Sequence, residues 1–313
     1  MKEILDDVVV ALFTYNQDKY TRESILSIFN QTVWPRKLMI FDDGSSDYTE
    51  EVIKDALKDK PIGLDVEVEI SLKNSGLATQ INKLRGKFSQ TLIITQHCDD
   101  IAVPTRIEEQ YRLWKSEQKP TLILSQFDCI DEDSNVVSRR DTSEKFNFDV
   151  DTLIKRKIMP SGCSMAIDSS LFNDFPPIDA KVINEDRIFL FRSLLKGKAI
   201  KIMSSLILYR HEVGNSTLKM ETKSAFISSW RTILLRESYD LPMIIKDCGH
   251  IGAHEYIPKL ITRQKYIALL LNLFNAKYDT KMEAWLAFFS AKLPYRLVSG
   301  YRHKVRGYFK SIK

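Results

Sequence analysis

Short apolar runs alternate with amphipathic stretches through the first 125 residues. Val8–Phe13 is an unbroken β-branched and apolar run, the signature of a strand buried on both faces. Lys37–Phe41, Val66–Ile70, Leu92–Thr95 and Leu122–Ser125 read as further strands. Between them, Thr21–Asn30, Tyr48–Leu57 and Leu77–Leu84 carry apolar residues at helical spacing, and a helix follows Pro104 to Trp114. Asp47 suits the start of the second helix. This βαβα order predicts a mostly parallel sheet with helices on both faces.

The pattern loosens after Gln126. Asp131–Asp149 is polar and loop-like, Cys163–Ile167 and Leu206–Tyr209 read as strands, and Arg187–Leu195 as a helix. From Thr222 the pattern is helical, near Ala225–Glu237, Tyr256–Phe274 and Met282–Lys292. A boundary is expected near residue 218, between an α/β domain (1–218) and a helical region (219–313).

Charge sharpens this division. The net charge is +5, but the first 283 residues sum to −2 and the rest contains seven basic and no acidic residues. A nucleic-acid coat is not expected; an anionic partner would meet the C-terminus. There, Tyr295, Leu297, Val298, Tyr301, Val305, Tyr308, Phe309 and Ile312 alternate with Lys292, Arg296, Arg302, Lys304, Arg306 and Lys310. That mixture fits an interfacial helix on anionic lipid; the alternative is a solvated basic helix or a disordered tail. No apolar run reaches the roughly 18 residues of a membrane span. Four scattered cysteines, with no CxxC pair, argue against a zinc site or a disulfide scaffold and suit a reducing compartment.

In a doubly wound sheet, ligands bind beyond the C-terminal strand ends. Four polar clusters fall there: Thr14-Tyr15-Asn16, Asp42 to Asp47, Asn74-Ser75-Gly76, and His97 to Asp100. Each has a structural alternative. Asp42-Asp43-Gly44 also suits a tight turn, Tyr15 a packing aromatic, and Asp100 a cap for the helix after Pro104. Asp99 suits a hard divalent cation holding a diphosphate. Glu185-Asp186 also suits a helix start, complementing its dipole.

In order and spacing these residues resemble the family 2 glycosyltransferases, which have the GT-A fold. The resemblance spans roughly residues 6–218. Phe13–Asn16 is similar to the family's first-strand signature, Ser24–Trp34 to its first helix, and Phe41–Asp47 (FDDGSSD) to its second-strand motif. Asn74, Gly76, Asn82 and Gly86 match the next pattern, and His97–Ile101 stands where the metal-binding DxD motif falls. Pro160–Cys163 and Glu185-Asp186 match acceptor-side motifs; Tyr209-Arg210-His211, with Asn215 and Ser216, resembles the closing motif.

The resemblance implies an inverting, nucleotide-sugar-dependent transferase of the hexosyltransferase type. Thr14, Tyr15 and Asn74 would line the nucleotide, with Tyr15 stacked on a pyrimidine and Asp43 accepting its N3–H. That favours a UDP- or dTDP-sugar. Asp99 would bind Mn²⁺ or Mg²⁺, and Asp186, ranked above Glu185, would be the general base. The acceptor would be a hydroxyl of a surface polysaccharide or glycolipid, lipid-linked in some cases. The enzyme would be cytoplasmic and peripheral at the inner face of the plasma membrane, with a homo-oligomer as a further expectation.

Two positions depart from the pattern: His97 and Cys98 replace the first part of DxD. Imidazole ligates Mn²⁺ better than Mg²⁺, and thiolate is too soft for either. His97 therefore faces metal, sugar or neither, and His211 faces the diphosphate or only a loop. The competing classes are a non-catalytic membrane or oligomerisation module with a degenerate site, and a nucleotide-binding oxidoreductase. The latter is disfavoured because Tyr15-Asn16-Gln17 replaces the GxGxxG turn.

Overall fold

A computed structural model describes residues 2–116, 118–139, 148–158, 160–211 and 223–311, with side chains from 227 onward in the last stretch. The described chain divides into two compact units, one of Met1–Lys181 with Glu185–Asn215, the other of Val182–Asn184 with Ser216–Lys313.

The first unit is built around β1 (Ile4–Thr14), buried at every position from Val8 to Thr14. Helix α1 (Asp18–Phe29) returns the chain to β2 (Trp34–Asp42), and α2 (Thr49–Ala56) returns it to β3 (Asp65–Ile70). Short α3 (Leu77–Asn82) precedes β4 (Leu92–His97). Strands β3, β2, β1 and β4 pair in parallel. Ile25 and Ile28 of α1 and Ile53 of α2 join the core cluster that contains Val8, Val10 and Leu12. Full burial of each such side chain stabilises the fold by about 1.5–3 kcal/mol.

Beyond β4 the sheet becomes mixed. A two-residue β5 (Ile101–Ala102) leads to α4 (Arg106–Trp114), then β6 (Leu122–Ile130) and β7 (Val136–Ser138). Helix α5 (Val150–Ile154), β8 (Ala166–Asp168), α6 (Ser170–Asn173), α7 (Glu185–Lys196) and β9 (Ala199–Arg210) complete the unit. The order is β3-β2-β1-β4-β8-β6-β9-β5, with β7 on β6. Strand β8 inserts antiparallel between β4 and β6, whereas β9 runs parallel to β6. The strand expected over Cys163–Ile167 begins instead as a 3₁₀ turn at Gly162–Ser164, and only Ala166–Asp168 enters the sheet. That turn carries chemistry described below.

The second unit contains α8 (Lys223–Ile251), α9 (Ile257–Phe274), α10 (Lys281–Ser290) and α11 (Val298–Ser311). It corrects one expectation. Tyr301, Val305, Tyr308 and Phe309, set out above as a lipid-facing stripe, are buried within the unit. The Tyr301 ring stacks on Phe288 at 4.7 Å, and its hydroxyl donates to the Ala284 carbonyl at 2.8 Å. An amphipathic helix buries its apolar stripe on whatever apolar face is offered, and the neighbouring helices offer one here. Ile312 lies outside the described residues. Exposed apolar side chains of this unit include Met282, Leu286 and Phe289 on α10, and Tyr295. No helix of the described residues is long and apolar enough to cross a membrane.

Candidate active site

Parallel register brings the predicted clusters together. Phe13 lies beside Phe41 on one side and His97 on the other, and Thr14 pairs with Asp42. The residues that follow, Tyr15, Asp43 and Cys98, therefore emerge along one rim of the sheet.

The first two loops interlock. The Asn16 amide donates to Ser45 Oγ at 2.9 Å, and the Ser46 amide donates back to Asn16 Oδ1 at 2.8 Å. Asp47 accepts from the Thr49 amide at 3.0 Å and from the Asp18 amide at 3.2 Å, so it secures the starts of both α1 and α2. Asp42 accepts from the Ser45 amide at 3.2 Å; its burial raises its pKa. Gly44 is required here. Its φ is +72°, and a Cβ would lie 2.6 Å from the Lys73 carbonyl carbon.

Asp43 is only 4% exposed and its carboxylate is already engaged. It accepts from the Ser75 amide at 2.9 Å, Ser75 Oγ at 2.8 Å, the Gly76 amide at 2.7 Å, and Gln80 Nε2. Four donors fill its lone-pair positions. Asp43 thus clamps the 75–80 segment, and an incoming base N3–H must displace one of these donors. Asn74, just before the clamp, is exposed.

The turn after β4 gathers His97, Asp99 and Asp100, whose ligating atoms lie within 4.8 Å of one another. Asp100 does not cap α4. Its Oδ1 accepts from the Arg210 amide at 3.1 Å, while Oδ2 is buried with no hydrogen-bond partner among the described residues. Burial, with the Asp99 charge beside it, pushes the Asp100 carboxyl well above its usual range. Burial likewise lowers the His97 pKa, keeping the imidazole neutral. An imidazole nitrogen and two carboxyl groups, one of them with an orphaned buried oxygen, suit a divalent cation. Cys98 is no ligand candidate, since burial pushes its thiol to about 12.

Two buried arginines hold this turn: Arg210, quoted above only as part of the closing motif, and Arg106, which the sequence pattern did not single out. Arg106 donates to Gln96 Oε1 at 2.6 Å, to the Thr95 carbonyl at 2.9 Å and to the Cys163 carbonyl at 3.1 Å. Gln96 Nε2 in turn donates to the His97 and Asp100 carbonyls at 3.0 and 2.7 Å. Arg210, at the end of β9, donates to the Asp99 carbonyl at 3.0 Å and the Asp131 carbonyl at 2.7 Å. It also pairs with Glu23 at 2.6 Å and stacks over Tyr20. The available signal was Arg106 in phase with buried Ile107 and Gln110 on α4.

Glu185 and Asp186 open α7. Gly162 stands against them: its Cβ position is 3.5 Å from Asp186 Cβ and 3.5 Å from Glu185 Oε1. Asp186 Oδ1 accepts from the Arg187 amide at 2.7 Å, and Glu185 is buried. The thiol of adjoining Cys163 is raised by burial and by the charges of Asp100, Asp99 and Asp186. The 162–164 turn stands against Asp186 at Gly162 and is tied through the Cys163 carbonyl to Arg106, which also holds Thr95 and Gln96 just before the metal-suited turn. His211 is exposed, and its amide donates to the Ile130 carbonyl at 2.9 Å. Asn215 and Ser216 lie outside the described residues.

The model of the glycosyl transferase family 2 matches residues 9–174, more than half of the chain. The chain belongs to this family. It is 27% identical over 206 residues to the uncharacterized glycosyltransferase MJ1057 of Methanocaldococcus jannaschii, covering 64% of this chain and 69% of that one. It is 28% identical over 175 residues to the uncharacterized glycosyltransferase RP339 of Rickettsia prowazekii, covering 53% of this chain and 51% of that one. Among solved structures, S. aureus TarS 1–349 in complex with UDP-GlcNAc matches at TM-score 0.56 and 14% identity, covering 99% of this chain and 92% of that one. A mannosyltransferase from Pyrobaculum calidifontis in complex with GDP-Man and Mn²⁺ matches at TM-score 0.53 and 14% identity, covering 96% and 85%. At these identities the likeness is one of fold, the GT-A glycosyltransferase fold.

Proposed function

We propose that the protein is an inverting glycosyltransferase that moves a sugar from a nucleotide sugar to an acceptor hydroxyl, with a divalent ion at His97, Asp99 and Asp100. The observation that carries this reading is the common neighbourhood of that turn and Asp186, joined by Gly162–Ser164. A metal at the turn would offset charge on the leaving diphosphate. Asp186 would take the proton of the attacking hydroxyl, a single displacement that inverts the anomeric carbon and needs no enzyme nucleophile. Tyr15 offers a ring face for the base. Asp43 favours UDP or dTDP if the N3–H replaces the Gln80 amide. The acceptor is proposed to be a surface polysaccharide or glycolipid.

Melting curves with UDP-, dTDP- and GDP-sugars, with and without Mn²⁺, test this directly. A binding donor at a hundredfold its dissociation constant should stabilise the protein by about 2.7 kcal/mol. Asp99→Ala should remove the Mn²⁺-dependent part. Stabilisation by none of the donors, or a Mn²⁺ effect unchanged in Asp99→Ala, would overturn the assignment.

Peripheral attachment at the inner face of the plasma membrane is proposed on a different surface from the buried stripe of α11. Met282, Leu286 and Phe289 recur at helical spacing along one exposed side of α10, and Tyr295 is 87% exposed. Lys281, Lys292 and Arg296 are exposed among them. An apolar stripe beside cations complements an anionic bilayer, where each basic residue contributes about 1 kcal/mol. Leu286→Ser with Phe289→Ser should weaken binding to phosphatidylglycerol-containing vesicles by tenfold or more, roughly the burial of one large side chain. Equal binding by both forms would reject the surface. A dimer dissolved by the same substitutions would assign it to a second copy of the chain.

A further inference from the structure

We propose that His97 sets the metal preference of the site, so that the protein takes Mn²⁺ in strong preference to Mg²⁺. This rests on the reading that a divalent ion is held at the turn after β4.

Three observations support it. His97, Asp99 and Asp100 bring one nitrogen and two carboxylate oxygens within 4.8 Å of one another. Asp100 is 1% exposed, and its Oδ2 has no hydrogen-bond partner among the described residues. Leaving a buried carboxyl oxygen unpaired is costly, a cost that a cation would remove. Third, the backbone around the donors is fixed. Ser24 Oγ and Gln96 Nε2 donate to the His97 carbonyl at 2.9 and 3.0 Å, and Arg210 Nε donates to the Asp99 carbonyl at 3.0 Å.

The preference follows from donor chemistry. Mg²⁺ is small and hard, takes oxygen ligands and gives up water reluctantly. Replacing one carboxylate of an oxygen-only set by imidazole removes a negative charge and a hard donor, and both changes weaken Mg²⁺. Mn²⁺ accepts carboxylate and imidazole together, so it loses less. Restoring an oxygen donor by His97→Asp should therefore recover Mg²⁺ binding while Mn²⁺ binding changes little.

The experiment uses the full chain with UDP, Mn²⁺ as the probe and Mg²⁺ as competitor. Free Mn²⁺ is counted from its electron paramagnetic resonance signal, and spin-echo modulation reports a directly bound ¹⁴N. The wild type should show that nitrogen modulation; His97→Asp should lack it, and its preference for Mn²⁺ should fall about tenfold. His97→Asn, which binds metal only through oxygen, gives the same spectroscopic comparison if His97→Asp does not fold. Bound Mn²⁺ without nitrogen modulation, or a preference unchanged on substitution, overturns the role of His97 and leaves the metal-assisted reading standing. Absence of bound Mn²⁺ with and without UDP overturns both.

Discussion

Asp186→Asn is expected to lower sugar transfer by about 10²–10⁴-fold, the usual contribution of a positioned general base. The substitution is nearly isosteric, so the effect can be assigned to chemistry. Asp186 Oδ1 accepts the Arg187 amide at 2.7 Å, and an asparagine carbonyl can accept the same bond. Even a Cβ added at Gly162 would lie 3.7 Å from Asp186 Oδ2, an ordinary van der Waals distance. Donor binding should be near normal because Asp186 serves the acceptor hydroxyl. The expected pattern is a loss in kcat with unchanged donor stabilisation in melting curves. Glu185→Gln is the control: Glu185 is only 5% exposed and is less open to an acceptor. Wild-type turnover in Asp186→Asn, or an equal loss in Glu185→Gln alone, would remove Asp186 as the base. No transfer by the wild type with any donor that it binds would favour a non-catalytic module instead.

The parallel half of the sheet was legible because burial on both faces leaves a simple trace. Val8 to Phe13 has no polar residue to place outside, and Asp42 and His97 end strands whose register then fixes the rim. The convergence of Tyr15, Asp43 and the 97–100 turn followed from strand ends alone. The antiparallel insertion was not legible. Strand β8 has three residues, and its partners at Leu92 and Leu122 are distant in sequence. The work of Asp43 was hidden for the same reason, since its donors lie 32 to 37 residues onward. In α11 the apolar spacing was read correctly, but spacing alone does not distinguish lipid from a neighbouring helix. Buried arginines are harder still, because their partners are backbone carbonyls that leave no mark on composition.

Arg210→Ala should destabilise the first unit by about 3–5 kcal/mol, among the larger single-residue effects, because it removes a buried guanidinium and leaves its part-buried acceptors unpaired rather than merely losing charge. Arg210 is 1% exposed and donates to two carbonyls, at Asp99 and Asp131, and to Ser134 Oγ at 3.0 Å. Its partner Glu23 has a side chain 45% exposed, so that ion pair supplies the smaller share. For a unit of this size the loss corresponds to a melting temperature lower by roughly 6–20 °C. Arg210→Lys should recover only part of it. An ammonium can still face Glu23 but cannot span both carbonyls as the planar guanidinium does. By contrast, Arg112→Ala, at an exposed helical pair with Glu108, should change stability by less than about 0.5 kcal/mol. The two arginines thus separate anchoring from surface charge. Because Arg210 holds the carbonyl of Asp99 and its amide holds Asp100, Arg210→Lys should also weaken Mn²⁺ binding below the melting transition. If Arg210→Ala melts within 2 °C of the wild type, about the effect of 1 kcal/mol or less, the strand end is not anchored through this side chain.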